Sequence, residues 1–280
     1  MATTQDQEDD EADINPIKML FPADEDHSSD NGVPFPPHEV EEETSSNQYY
    51  ISSIKSTLLI RQLPSQGLSF QLWPAATTLV SLLDLYCTDP THGPLAPILS
   101  DGADRRRLNI LELGSGTGLV GLAAAAILGA NVTLTDLPHV IPNLQFNADA
   151  NASLLALQGG TAHVVPLRWG EADDVDVIVQ EFDLILASDV VYHDHLYDPL
   201  LETLRLFLNS GKEEENKKKN MMFVMAHLRR WKKDSAFFRK AKKLFEVRTV
   251  HVDPPCNGAR IGVVVYCFNG KTEKNMKNPC

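Results

Sequence analysis

The feature that most constrains this chain is the run Glu112-Leu113-Gly114-Ser115-Gly116-Thr117-Gly118, set between the apolar stretch LNILEL (108–113) and the stretch LVGLAAAAIL (119–128). A buried strand ending in closely spaced glycines, followed at once by a helix, is how a parallel α/β sheet brings backbone close to a ligand. The GxGxxG dinucleotide fingerprint wants glycine at 119, where this chain has leucine, and no GK[ST] closes the run as in a phosphate-binding P-loop. The helix stops at Gly129.

Further elements follow at regular spacing. NVTLTD (131–136), HVVPL (163–167), FDLILASD (182–189) and MMFVMAHL (221–228) read as strands, with helices over about 139–155, 199–208 and 232–245. This alternation predicts right-handed crossovers and a mostly parallel, doubly wound sheet. VRTVHV (247–252) and IGVVVYCF (261–268) add two closing strands. Upstream, YYISSIKSTLLIRQ and LSFQLW read as a strand pair with its turn at Pro64-Ser65-Gln66-Gly67. Pro74 then opens a helix.

Charge divides the chain. Residues 1–45 hold fourteen acidic side chains and one base, and the remaining 235 residues hold 24 of each, so the net charge of −13 belongs to the amino-terminal arm. That arm is too poor in apolar side chains to fold by itself and is expected to be disordered. The domain is expected over 46–270, with a polar tail over 271–280. An electrically balanced body argues against nucleic acid as partner. Cys87, Cys256, Cys267 and Cys280 form no CxxC pair, so neither a metal site nor a disulfide framework is expected. The lack of a leader or a long apolar run points to a cytoplasmic protein without a membrane partner, with the nucleus as an additional location, and a monomer is the simplest assembly. The insert NSGKEEENKKKN (209–220) reads as a solvated loop. Nine bases between Arg229 and Arg248 read as a solvated helix face, with an acidic patch on a partner as the second reading and docking of the acidic arm as the third.

Asp136 ends the second strand of the alternating set, where an acid can take both hydroxyls of a ribose. Trp169 follows the third, in Leu167-Arg168-Trp169-Gly170. Ser188-Asp189-Val190-Val191-Tyr192 follows the fourth, and Leu72-Trp73-Pro74-Ala75 lies upstream. Taken together, these motifs resemble methyltransferase family 16, whose members include lysine methyltransferases acting on chaperones and translation factors. The resemblance covers roughly residues 49–268. It implies a Rossmann-like seven-strand sheet of class I methyltransferases, mostly parallel with one antiparallel strand, plus an N-terminal β hairpin. It also implies S-adenosyl-L-methionine as cofactor, held by Trp73, Glu112, Gly114, Ser115, Gly116, Asp136, Trp169 and Ser188, the last more polar than the alanine the family leads one to expect. Asp189 and Tyr192, the DxxY pair, are the implied catalytic residues, and a protein presenting a lysine the implied substrate. His193 and His195 read as loop histidines. Transfer to a small molecule or to another side chain, and a binding module without turnover, stay open at the level of sequence.

Overall fold

A computed structural model describes residues 45–100, 107–178, 181–209, 221–230, 233–255 and 262–271. The acidic arm, most of the charged insert and the last nine residues of the polar tail lie outside the described residues.

The chain begins with an antiparallel hairpin, β1 (Ser45–Ile51) and β2 (Ser56–Gln62), in which Ile51 faces Ser56. Its turn is Ser52-Ser53-Ile54-Lys55, which corrects the expectation of a turn at residues 64–67. The sequence ISSIKS carries no glycine, proline or asparagine to announce a turn. What closes it is tertiary: the N–H groups of Ser52 and Ser53 donate to the Asp84 carboxylate at 3.1 and 2.9 Å, and Lys55 takes a left-handed φ of 49°. Residues 64–70 form two short 3-10 turns, Pro64–Gln66 and Leu68–Phe70, in place of a second strand.

Helices α1 (Pro74–Thr88) and α2 (Ala96–Leu99) lead into the sheet. There follow β3 (Asn109–Leu113), α3 (Leu119–Leu128), β4 (Asn131–Asp136), α4 (Ile141–Leu157), β5 (Thr161–Pro166), α5 (Ala172–Val177), β6 (Leu184–Ser188), α6 (Tyr197–Asn209), β7 (Met222–Leu228), α7 (Asp234–Leu244), β8 (Phe245–Val252) and β9 (Val263–Gly270). The sheet order is β5-β4-β3-β6-β7-β9-β8. All pairs from β5 through β7 are parallel, and β9 runs antiparallel to both β7 and β8. The order therefore reverses between β3 and β6, which opens a crevice at the carboxyl ends of those strands.

Both sheet faces are buried, as a parallel sheet requires. Ile110, Val132, Leu134, Leu186 and Val224 point into one core with α1, α3 and α4, and Leu111, Leu113, Ile185, Phe223 and Phe268 point into the other with α6 and α7. Helix α3 lies close against the sheet because its inner residues are small: a Cβ at Gly121 would run into Leu134 and the Glu112 carboxylate.

One polar device ties the hairpin to this body. Asn143, Asn147 and Asn151 recur every fourth residue, hence on one face of α4, and all three are buried. Asn147 Oδ1 accepts the Arg61 N–H at 2.8 Å while its Nδ2 donates to the Arg61 carbonyl at 3.1 Å; Asn151 does the same for Leu59, at 2.9 and 2.8 Å. The amides thus pair the outer edge of β2 as another strand would, so its backbone groups are not left unsatisfied. Asn147 Nδ2 also donates to the Thr117 carbonyl at 2.9 Å, so the same amide holds the glycine loop.

Candidate active site

The glycine loop turns off β3 through three left-handed residues, Gly114 (φ 62°), Gly116 (φ 55°) and Gly118 (φ 84°). At Gly114 a Cβ would lie 2.9 Å from Trp169 Cζ2 and 2.9 Å from Val190 Cγ1, so only glycine lets the indole and the segment after β6 close on the loop. Ser115 stitches the loop to the neighbouring strand: its N–H donates to the Thr135 carbonyl at 2.9 Å and its Oγ accepts the Thr135 N–H at 3.0 Å.

Two carboxylates lie under and beside the loop. Glu112 is 1% exposed and accepts the Gly121 N–H at 3.1 Å, so it fastens α3 to the loop from beneath. Burial pushes its carboxyl up to about 8, with the hydrogen bonds from Ser115 and Gly121 offsetting only part of that. Asp136, 7% exposed at the end of β4, accepts the Gly116 and Leu137 N–H groups at 2.7 Å each. Burial raises it too. Trp169 is placed by its flanks. The Leu167 N–H donates to the Asp136 carbonyl at 2.9 Å, Arg168 pairs with Asp174 of α5 at 2.8 Å, and the Gly170 N–H donates to Thr203 of α6 at 2.8 Å.

Across the crevice, Ser188 ends β6, half-buried, and Asp189 follows with a left-handed φ of 54°, a conformation aspartate tolerates at a cost of about 1 kcal/mol. Its N–H donates to the Ala226 carbonyl at 2.9 Å, extending the ladder with β7. The Asp189 carboxylate is enclosed, its side chain only 4% exposed. Oδ1 accepts the Leu228 N–H at 2.9 Å, and Oδ2 pairs with the Arg230 guanidinium at 3.0 Å. Burial works to raise this carboxyl, but His227 and Arg230 outweigh it, and it stays below the usual range. Arg230 also lies 5.0 Å over the ring of Trp73, whose Nε1–H donates to the Leu68 carbonyl at 2.9 Å. The upstream tryptophan is thus joined to Asp189 through Arg230. Tyr192 completes the crevice: burial, then the charge of Asp136, raises its phenol, so it carries its proton at neutral pH and lies within electrostatic reach of the β4 end.

The structure therefore gathers Gly114, Ser115, Gly116, Asp136 and Trp169 at the ends of β3 to β5, and Trp73, Ser188, Asp189 and Tyr192 at the ends of β6 and β7. Arg230, His227 and Asp234 were missed. Arg230 was counted among solvated bases, which Arg239, Lys240, Lys242, Lys243 and Arg248 are. Asp234, the lone acid four residues after Arg230, was the available signal, since that spacing lets the helix amino terminus fold back onto the strand. Among the described residues no cluster of side chains suits a metal ion, and no helix is long and apolar enough to cross a membrane.

The loop meets the demands of a nucleoside cofactor: glycines whose Cβ atoms would collide with Trp169 or the Ser69 carbonyl, an indole flanking them, and a carboxylate at the end of the next strand. Comparison with known proteins agrees. Over residues 53–244 the chain matches the family model of methyltransferase family 16, described as lysine methyltransferase. It is 33% identical to the protein N-lysine methyltransferase METTL21A of Mus musculus across 71% of this chain and 78% of that one. It is 35% identical to EEF1A lysine methyltransferase 3 of Mus musculus across half of each chain, and 36% identical to the protein-lysine N-methyltransferase rrg1 of Schizosaccharomyces pombe across 40% of each. The match thus spans well under two thirds of the latter two proteins. Among solved structures, a methyltransferase from Agrobacterium tumefaciens described as SAM-dependent superposes with a TM-score of 0.47 at 16% identity, over 85% of this chain and 73% of that one. This chain belongs to methyltransferase family 16, the lysine methyltransferases.

Proposed function

We propose that this chain transfers the methyl group of S-adenosylmethionine to the side-chain amine of a protein lysine, with Asp189 and Tyr192 receiving the amine. The observation that carries the reading is the charge kept at Asp189: it is buried, yet His227 and Arg230 hold it below the ordinary carboxylate range, at the strand end beside the glycine loop.

Gly114, Ser115, Gly116 and Asp136 would hold the cofactor, with Trp169 flanking its base and Ser188 and Trp73 closing the far side. When bound, S-adenosylmethionine supplies a methyl carbon activated by its sulfonium. The protein then needs no covalent nucleophile, only placement of a neutral amine and exclusion of water. Asp189 draws in the cationic lysine and offsets its lost hydration. Arg230 already pairs with Asp189 Oδ2, so the carboxylate stands in surroundings that suit a cation. Tyr192, with its phenol protonated, offers its ring face to the alkyl stem or the charge. The amine gives up its proton to solvent before transfer, and Asp189 orients the lone pair.

The test is to incubate the pure protein with methyl-labelled S-adenosylmethionine and cell extract, then identify the labelled residue. Methyl-lysine in a protein band is the expected result. Label on another side chain, or only in small molecules, would replace the lysine assignment.

A further inference from the structure

The scheme above leaves one buried ionisable side chain without a role. His227, near the end of β7, is 1% exposed. Its Nδ1 lies 3.6 Å from Asp189 Oδ1 and its Nε2 lies 3.4 Å from Asp234 Oδ2. These are ion-pair separations, and neither ring nitrogen has a closer partner. A neutral imidazole has one N–H and one lone pair, so it would turn a lone pair toward one of two buried carboxylates. An imidazolium turns an N–H to each.

Among the described residues, the groups that face this cluster come from four elements. Arg230 pairs with Asp189 at 3.0 Å, and its backbone N–H donates to Asp234 Oδ2 at 3.3 Å. From α6 the Tyr197 hydroxyl donates to Asp234 Oδ1 at 3.5 Å. From α7 the Phe238 ring stands 5.8 Å away, and from β9 the register partner is Val264; neither carries charge. A carboxylate stands at each ring nitrogen, and only a protonated ring offers an N–H to both. Burial alone would lower the imidazole; the two carboxylates outweigh it and raise it above its ordinary value.

We infer that His227 is a positioning residue for methyl transfer: by bridging Asp189 and Asp234 it fixes the Asp189 carboxylate at the end of β6 and keeps it charged for the lysine ammonium. The inference rests on the lysine methyl-transfer reading. Without the ring proton, only one of the two carboxylates can keep an N–H from the ring, and Asp189 is held less firmly. The contribution of His227 is therefore present while the ring is protonated and fades as pH rises through its folded value, which lies above about 6.5.

The experiment compares the wild type with His227→Gln, using cell extract as substrate and labelled S-adenosylmethionine. At about pH 6.5 the variant should transfer methyl about tenfold more slowly, and the gap should shrink to under about threefold by about pH 9. Cofactor affinity by calorimetry should stay within about twofold. A rate ratio independent of pH, or a wild-type rate at about pH 6.5, would overturn the inference. NMR of the wild-type imidazole reads the ring without turnover, so it holds even if the variant fails to fold or the methyl-transfer reading fails. At about pH 6.5, the ordinary imidazole value, a ring mostly carrying both N–H groups is expected; a ring mostly neutral there would overturn it.

Discussion

Three buried carboxylates stand at or beside the carboxyl ends of adjacent strands, and the two halves of the crevice treat them in opposite ways. On the cofactor side, the side chains of Glu112 and Asp136 accept hydrogen bonds from backbone N–H groups, at 3.1 Å from Gly121 and 2.7 Å from Gly116 and Leu137. Burial dominates, and both carboxyls are raised. On the amine side, Asp189 faces Arg230 and His227, and its carboxyl is lowered in spite of equal enclosure. Peptide dipoles satisfy hydrogen-bonding capacity without cancelling a net charge, whereas cations cancel it. The first half suits neutral hydroxyls. The second maintains a negative charge, which suits the cationic amine proposed to enter there.

The contrast predicts that removing a cation from the amine half does the greatest damage. Arg230→Met leaves Asp189 with His227 alone, and breaking a buried ion pair from one side costs about 3 kcal/mol here, the low end of the usual range because Arg230 is partly exposed. A depressed carboxyl contributes stability above its unfolded value that is lost as pH falls through the folded one. Denaturant unfolding should therefore show the gap between wild type and variant at pH 7 closing on acidification below about pH 4. An equal gap at both pH values would mean that the guanidinium acts by packing.

In the cofactor half the corresponding weakness is steric. Gly114→Ala combines a left-handed φ with contacts to Trp169 and Val190 at 2.9 Å, and should cost about 2 kcal/mol while weakening S-adenosylmethionine binding at least about tenfold by calorimetry. Asn147→Ala orphans the Arg61 N–H and leaves the Thr117 carbonyl without its amide donor, for about 1 to 2 kcal/mol. Because one amide holds both hairpin and loop, cofactor affinity should fall with it; unchanged affinity would separate the hairpin from the site. The change expected to stabilise rather than damage is Glu112→Gln. The native protein keeps the Glu112 proton up to about pH 8 while the unfolded chain releases it near 4.5, so this side chain's contribution is full below 4.5 and lost as pH rises through 8. Relative to wild type, the glutamine variant should gain thermal stability between pH 5 and pH 9. No relative gain would show that the N–H of Gly121 is enough to hold the charge.

The strands and the helix after the glycine loop were legible because apolar runs and punctuating glycines are local signals; the helix expected over 119–128 is α3, Leu119–Leu128. The hairpin turn was not, since Ser52 and Ser53 depend on Asp84, some thirty residues away. On the cofactor half, Gly114, Ser115, Gly116, Asp136 and Trp169 lie together at the strand ends, while the Glu112 carboxylate lies beneath the loop on the Gly121 N–H. On the amine half, sequence pointed to Asp189 and Tyr192 but not to the cations around them. His227 sits in an apolar strand pattern and Arg230 in a basic run, and only the return of Asp234 against β7 distinguishes them from core filler and solvated charge.

The central claim, that a charged Asp189 receives the lysine, is tested most directly by Asp189→Asn, with methyl transfer and cofactor affinity measured on the same preparation. Asparagine keeps the shape and can still accept the Leu228 N–H, so affinity for S-adenosylmethionine should stay within about twofold. Transfer to protein lysine should fall by about 2 to 4 kcal/mol of transition-state stabilisation, at least about thirtyfold. Transfer at the wild-type rate would contradict the claim and leave Asp189 as an anchor for Arg230 and β7.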